Sequence, residues 1–237
     1  MHGRLTFREI MAQPEAWTAA MRSFDAAAPE LDRLFRDRTP DEIIFTGCGS
    51  SYYLSLTAAS AMQQVAGLRA KAVPASEILQ FPGSVFVPGT RPVLVASSRS
   101  GTTTETVRAL EVARRRGIAT LSLTCATRSP LARHADLCLL SPKGHEESVV
   151  MTKSFSSLLL LGLLLAANHA ESVTFRGELR RLPTLGKRMV KAALTLTEGL
   201  GAGASRFVFL GGGPAHGIAF ANLRVQQPVR EDDVPRR

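Results

Sequence analysis

Two short segments gather the groups that anion binding needs. The first, Gly47-Cys48-Gly49-Ser50-Ser51, follows an apolar run and opens a helical stretch. Its glycines let the backbone approach a ligand closely, and Ser50 and Ser51 offer hydroxyls. The second, Ser98-Arg99-Ser100-Gly101-Thr102-Thr103, also follows an apolar run and stands at the start of a helix. Free amides and the positive end of the helix dipole meet hydroxyls there, which suits a dianionic phosphate. Helix capping is the plainer reading of Ser and Thr at such a place. One hydroxyl is enough for a cap, however, and hydroxyl residues fill most positions from Ser97 to Thr106. Phosphate binding is therefore the expectation.

A dinucleotide is the rival ligand. After Gly47 and Gly49 the third glycine of that fingerprint is replaced by Tyr52, and Glu77, the nearest following acid, comes only past Pro74. The match is incomplete, and a lone G-x-G is weak evidence.

The elements that must position these loops alternate. Residues 43–46, 92–96, 119–124 and 136–140 read as buried strands, with a weaker one at 71–75. Helices are expected at 51–65, at 103–116 and near Leu131. Strands that are continuous apolar runs, alternating with helices, predict a doubly wound parallel α/β sheet covered on both faces. Ligands bind such sheets at the carboxyl ends of the strands, where both loops fall. Residues 1–40 read as an N-terminal helical segment broken at Pro14 and Pro29, and 41–170 as the first domain. A loop at 146–155 leads to an apolar helix at 156–169, expected to pack on a second domain or a partner chain. Residues 171–183 read as a linker, followed by a helix at 184–199.

The composition sets limits. Across 237 residues the net charge is +9, but the basic side chains are dispersed, and Arg114-Arg115-Arg116 closes a predicted helix. Cations there complement the helix dipole, and no aromatics interleave with them, so no nucleic-acid partner is expected. The longest apolar run, 158–167, is interrupted by Gly162 and is far short of the ~20 residues a bilayer demands, so no membrane partner is expected either. Three cysteines without metal-ligand spacing, and an N-terminus without an apolar signal core, predict free thiols and a cytoplasmic location.

The chain also repeats itself. Phe209-Leu210-Gly211-Gly212-Gly213 echoes Phe45-Thr46-Gly47-Cys48-Gly49, so a strand at 206–210 and a second copy of the domain over 201–237 are expected. Its closing PVREDDVPRR reads as disordered, and the copy as truncated or frameshifted.

Gly47–Ser51, Ser98–Thr103 and the loop EESVVMTKSF at 146–155, with the opening Phe7-Arg8-Glu9-Ile10 and Gln13-Pro14, resemble the sugar isomerase (SIS) family in order and spacing. The likeness is to the isomerase half of glutamine–fructose-6-phosphate aminotransferase and to stand-alone amino-sugar-phosphate deaminases and isomerases, and it extends to about Ala219. The resemblance implies phosphate ligands at Ser98, Arg99 (through its backbone), Ser100 and Thr103, joined by Ser51. Val149 and Met151 would face the sugar, and Cys48, Gly49, Ser50, Gly101 and Thr102 would complete the loops. Met151 stands where the aminotransferase has Ser, and Arg99 where it has Gln. Lys153 has two readings, as a phosphate contact or as an ion pair with Glu146 or Glu147.

For catalysis the resemblance implies a Glu base and a nearby Lys on the helix after Gly213-Pro214, tuned to move a proton between C1 and C2. With a one-residue gap Arg224 takes the Lys position and Gln227 the Glu position. Gln cannot accept that proton. His216 is expected to be a loop residue only, and the ring-opening His that a neighbouring subunit supplies has no counterpart. No glutaminase domain is seen before residue 7, which favours isomerisation or deamination of a hexose or hexosamine 6-phosphate. No metal or organic cofactor is expected, and a homodimer is. The alternative is a catalytically dead or regulatory phosphosugar-binding module, which the missing Glu favours for the chain as written. A transcription regulator is disfavoured, because forty residues before the first strand are too few for a helix-turn-helix and a linker.

Overall fold

A computed structural model describes residues 4–200 and 208–225, with side chains placed over 4–196 and 208–222. The chain opens with α1 (Arg4–Met11) and α2 (Gln13–Arg38), then enters β1 (Glu42–Gly47), α3 (Ser50–Ala66) and β2 (Arg69–Pro74). Two short helices, α4 (Ala75–Gln80) and α5 (Pro82–Val85), lead to β3 (Pro92–Ser98), α6 (Thr104–Arg115) and β4 (Ala119–Thr124). After α7 (Pro130–His134) and β5 (Leu137–Leu140) come α8 (Lys153–His169), α9 (Val173–Leu200) and α10 (Ala215–Val225).

The five strands pair in parallel in the order β2-β1-β3-β4-β5. Every residue of β1 and β4 is buried, as strands covered on both faces require. Their side chains alternate between two apolar layers. Ile43, Phe45, Val93 and Val95 meet α2, α3 and α8 on one face, while Ile44, Leu94 and Ala96 meet α4, α6 and α7 on the other. This is the doubly wound sheet expected from the apolar runs.

Four expectations need correction. Pro29 does not break α2, which continues through it because Phe24 and Leu31 are buried on either side. Residues 173–183 are not a linker but the first half of α9. Phe175, Leu179, Leu182 and Gly186 recur at helical spacing and face the core, with Gly186 pressed against the Trp17 ring. That burial outweighs the amide lost at Pro183. Among the described residues the apolar helix α8 finds its cover mainly within the first domain, not the second copy expected for it. Leu158, Leu160, Leu161, Leu164 and Leu165 are all buried in the first domain, against α3, α2 and the sheet. Each contributes about 1.5–3 kcal/mol by leaving water. Finally, Val208–Leu210 is not in a strand, and among the described residues no edge of the sheet is extended by it. Residues 206 and 207 and the closing segment 226–237 lie outside the described residues.

Candidate functional site

The strand order reverses between β1 and β3. From β1 the chain winds toward β2, and from β3 it winds the other way toward β4, so their outgoing loops diverge and leave a crevice at the carboxyl ends. Both hydroxyl-rich segments flank that crevice. Cys48 Sγ reaches across it to within 3.5 Å of Thr106 Oγ1 in the first turn of α6. Burial pushes the Cys48 thiol up, with Glu105 adding to the effect and the Thr106 hydroxyl opposing it. That direction disfavours the thiolate, the form a nucleophilic cysteine needs.

The turn from Ser98 to Thr103 is tightly specified. Gly101 has φ +63°, and a Cβ there would overlap the hydroxyl of Ser129. The Gly101 amide donates to Ser98 Oγ at 3.1 Å, and the Thr102 amide to Ser100 Oγ at 3.3 Å. The carbonyl of Arg99 is held by the amide of Cys125 at 3.1 Å and by the hydroxyl of Thr124 at 3.3 Å. Thr103 occupies the N-cap of α6 but makes no side-chain cap, and its hydroxyl instead meets Ser98 Oγ at 3.0 Å.

The loop from Glu146 to Thr152 forms the facing wall. The buried Glu146 carboxylate accepts the amides of Thr152 and Lys153, both at 2.7 Å, the Thr152 hydroxyl at 2.5 Å and the hydroxyl of Ser154. It thereby caps α8 from within its own loop. Arg99 Nη1 donates to the carbonyls of Ser148 at 3.0 Å and Val149 at 3.3 Å, and lies 3.8 Å from Glu146 Oε2. Of the two readings of Lys153, the ion pair is not formed. Among the described residues its ammonium pairs with neither Glu146 nor Glu147, and Glu147 pairs with Arg8 at 3.2 Å.

A cleft of about 840 Å³ opens beside these loops. Ser50, Arg99, Val149 and Met151 line it, with Gln13 and Trp17 contributed by α2. Ser51 and Ser98 are buried beneath the crevice, and neither they nor Lys153 line the cleft. Its far side is closed by Ile218, Ala221 and Asn222 of α10, which docks on α3. There Thr57 donates its hydroxyl to the Pro214 carbonyl at 2.8 Å, and Tyr53 stacks on Phe220 with centroids 5.7 Å apart. His216 is not in a loop but in the first turn of α10, edge-on to Phe220 at 4.8 Å. Arg224 falls in the last turn of α10, and Gln227 lies outside the described residues.

Glu9 belongs to the opening motif Phe7-Arg8-Glu9-Ile10, which by itself implies no role for it. It is 2% exposed and accepts the amides of Glu147 at 2.7 Å and Ser148 at 3.4 Å, together with the Ser148 hydroxyl. Burial pushes its carboxyl up. The Ser148 hydroxyl, the two amides and the Lys153 cation outweigh that and hold it below its ordinary value.

A parallel sheet of this order, with a hydroxyl-rich turn at its switch point, defines a flavodoxin-like α/β domain. Within that class the chain belongs to the SIS family, whose domain matches residues 38–168, more than half of its length. It is 37% identical over 137 residues to the isomerizing glutamine–fructose-6-phosphate aminotransferase of Helicobacter pylori, a match covering 58% of this chain and 22% of the relative. Glucosamine-6-phosphate deaminase from Thermotoga maritima superposes with a TM-score of 0.74 at 31% identity, over 91% of this chain and 64% of that one. Tagatose-6-phosphate ketose/aldose isomerase from Escherichia coli gives 0.77 at 25% identity, over 90% and 60%. The chain thus spans less than two thirds of each of these relatives. Its SIS domain is homologous to phosphosugar isomerase and deaminase domains.

Proposed function

We propose that this domain binds a hexose or hexosamine 6-phosphate in the β1/β3 crevice. One observation carries the reading. Thr103 stands at the N-cap of α6 yet turns its hydroxyl to that of Ser98, so the N-cap makes no side-chain cap. An uncapped helix N-terminus ringed by hydroxyls is a ready phosphate seat. Ser98, Ser100, Thr103 and Ser51 supply hydroxyls, while Arg99, Gly101 and Thr102 supply backbone. Cys48, Gly49 and Ser50 form the floor, and Val149 and Met151 meet the sugar across the cleft.

The parent chemistry is aldose–ketose isomerisation or deamination of amino-sugar phosphates, in a cytoplasmic protein without nucleic-acid or membrane partners. With Arg224 and Gln227 in place of a Lys and a Glu, the reading for this chain is binding without turnover. Homodimer formation no longer draws support from α8. It rests instead on the exposed apolar side chains Leu5, Phe7 and Met11 of α1.

Thermal-shift titration with glucosamine 6-phosphate and fructose 6-phosphate, run beside a coupled assay for ammonia, tests the reading. Stabilisation without turnover is expected. Turnover would assign the base to a residue other than Gln227, and no stabilisation by either sugar phosphate would overturn the assignment.

A further inference from the structure

Ser148 is gripped from both sides. On one side the carboxylate of Glu9, reaching from α1, takes its amide and its hydroxyl. On the other the guanidinium of Arg99, reaching from the phosphate turn, takes its carbonyl. The two residues lie far apart in sequence and on different elements, and they meet only through this one residue. The next residue, Val149, is 52% exposed and stands at the cleft. Little packing holds it, so its position follows from the hydrogen bonds that fix the peptides before and after it.

Arg99 is built into two loops at once. Its carbonyl is tied to the carboxyl end of β4 by Thr124 and Cys125, within the turn that seats the phosphate. Its guanidinium is committed to the carbonyls of Ser148 and Val149 beside the buried carboxylate of Glu146. Both hydrogen bonds come from Nη1, so they fix the direction in which the guanidinium points, toward the facing loop. Arg99 joins the turn that takes the anion to the loop that faces the sugar.

The geometry points to Glu9 and Arg99 as paired positioning residues that set Val149 and Met151 against the sugar. Preference for a sugar phosphate over bare phosphate is therefore held in this clamp, an inference that rests on the sugar-phosphate reading of the site. Neither side chain need touch the sugar for the clamp to work.

The test compares affinities by calorimetry for inorganic phosphate, glucosamine 6-phosphate and fructose 6-phosphate in wild type, Glu9→Gln and Arg99→Ala. In wild type the better sugar phosphate binds more tightly than inorganic phosphate. In both variants that advantage falls by about tenfold or more, the worth of a hydrogen bond to a charged group. Inorganic phosphate affinity stays unchanged in Glu9→Gln and drops only a few-fold in Arg99→Ala, and Arg99→Lys recovers part of the lost preference. A merely structural role would weaken all three ligands in proportion, and an unchanged ratio in both variants overturns the inference. If wild type binds inorganic phosphate as tightly as either sugar phosphate, the inference falls while the anion seat stands. If wild type binds none of the three, the function proposed for the site falls with it.

Discussion

The hydroxyls of Ser98 and Thr103 lie 3.0 Å apart and close the turn between β3 and α6 like a clasp. Because Thr103 turns toward Ser98, the helix behind it begins without a side-chain cap. Removing that hydroxyl should therefore affect the ligand more than the fold. Thr103→Val is expected to weaken phosphate binding by roughly ten- to a hundredfold, as loss of one hydrogen bond to a charged group does. Calorimetry with inorganic phosphate reads the loss, and a melting temperature within a few degrees of wild type separates it from unfolding.

Gly101 is the steric hinge of the same turn. Its left-handed backbone and the Ser129 hydroxyl beside it leave no place for a side chain. Gly101→Ala combines conformational strain with a clash and should cost about 1–3 kcal/mol. Urea denaturation measures the cost. Phosphate affinity should fall in the same variant, because the displaced turn carries the amides.

The contact between α8 and α3 is set by another glycine. A Cβ at Gly162 would stand 2.9 Å from the Cβ of Ala58. Gly162→Ala overpacks that crossing and is expected to destabilise by about 1–3 kcal/mol. Ala58→Gly removes the obstructing methyl. A double-mutant cycle should return a coupling of about 0.5–3 kcal/mol in which the second change partly rescues the first. Additive losses would mean the helices move apart without resistance.

Acid should release α1 from the loop at 146–152. The Glu9 carboxyl is held below its ordinary value of 4.5 in the folded protein. A depressed carboxyl contributes stability that is fully present above the unfolded pKa and is lost as pH falls through the folded one. The melting-temperature gap between wild type and Glu9→Gln should therefore be constant from neutral pH down to about 4.5 and close below it. A gap that instead widened on acidification would reverse the sign assigned to this carboxylate.

The sheet and the hydroxyl-rich turn are legible because their signals are local. β3 and β4 are unbroken apolar runs, and the hydroxyls of Ser98 to Thr103 sit together in sequence. What escaped was set by distant contacts. Pro183 and Gly177 look like breakers until Leu179 is seen buried and Gly186 is seen against Trp17. The leucines of α8 announce burial without saying against what, and α3 and α2 supply most of the cover. Glu9 could not be placed by pattern at all. It acts on residues more than 130 positions away, and only the folded chain brings α1 to that loop.

Trp17 stands where these elements converge. Its indole N–H donates to Ser156 Oγ at 2.8 Å, its ring rests on Gly186 of α9, and it lines the cleft. It is also the sole tryptophan of the chain. The protein therefore carries one indole, a fluorophore that can be excited apart from the two tyrosines, placed where a guest would displace water. Its emission reports the occupancy of that space directly, without a dye, a label or a coupled enzyme.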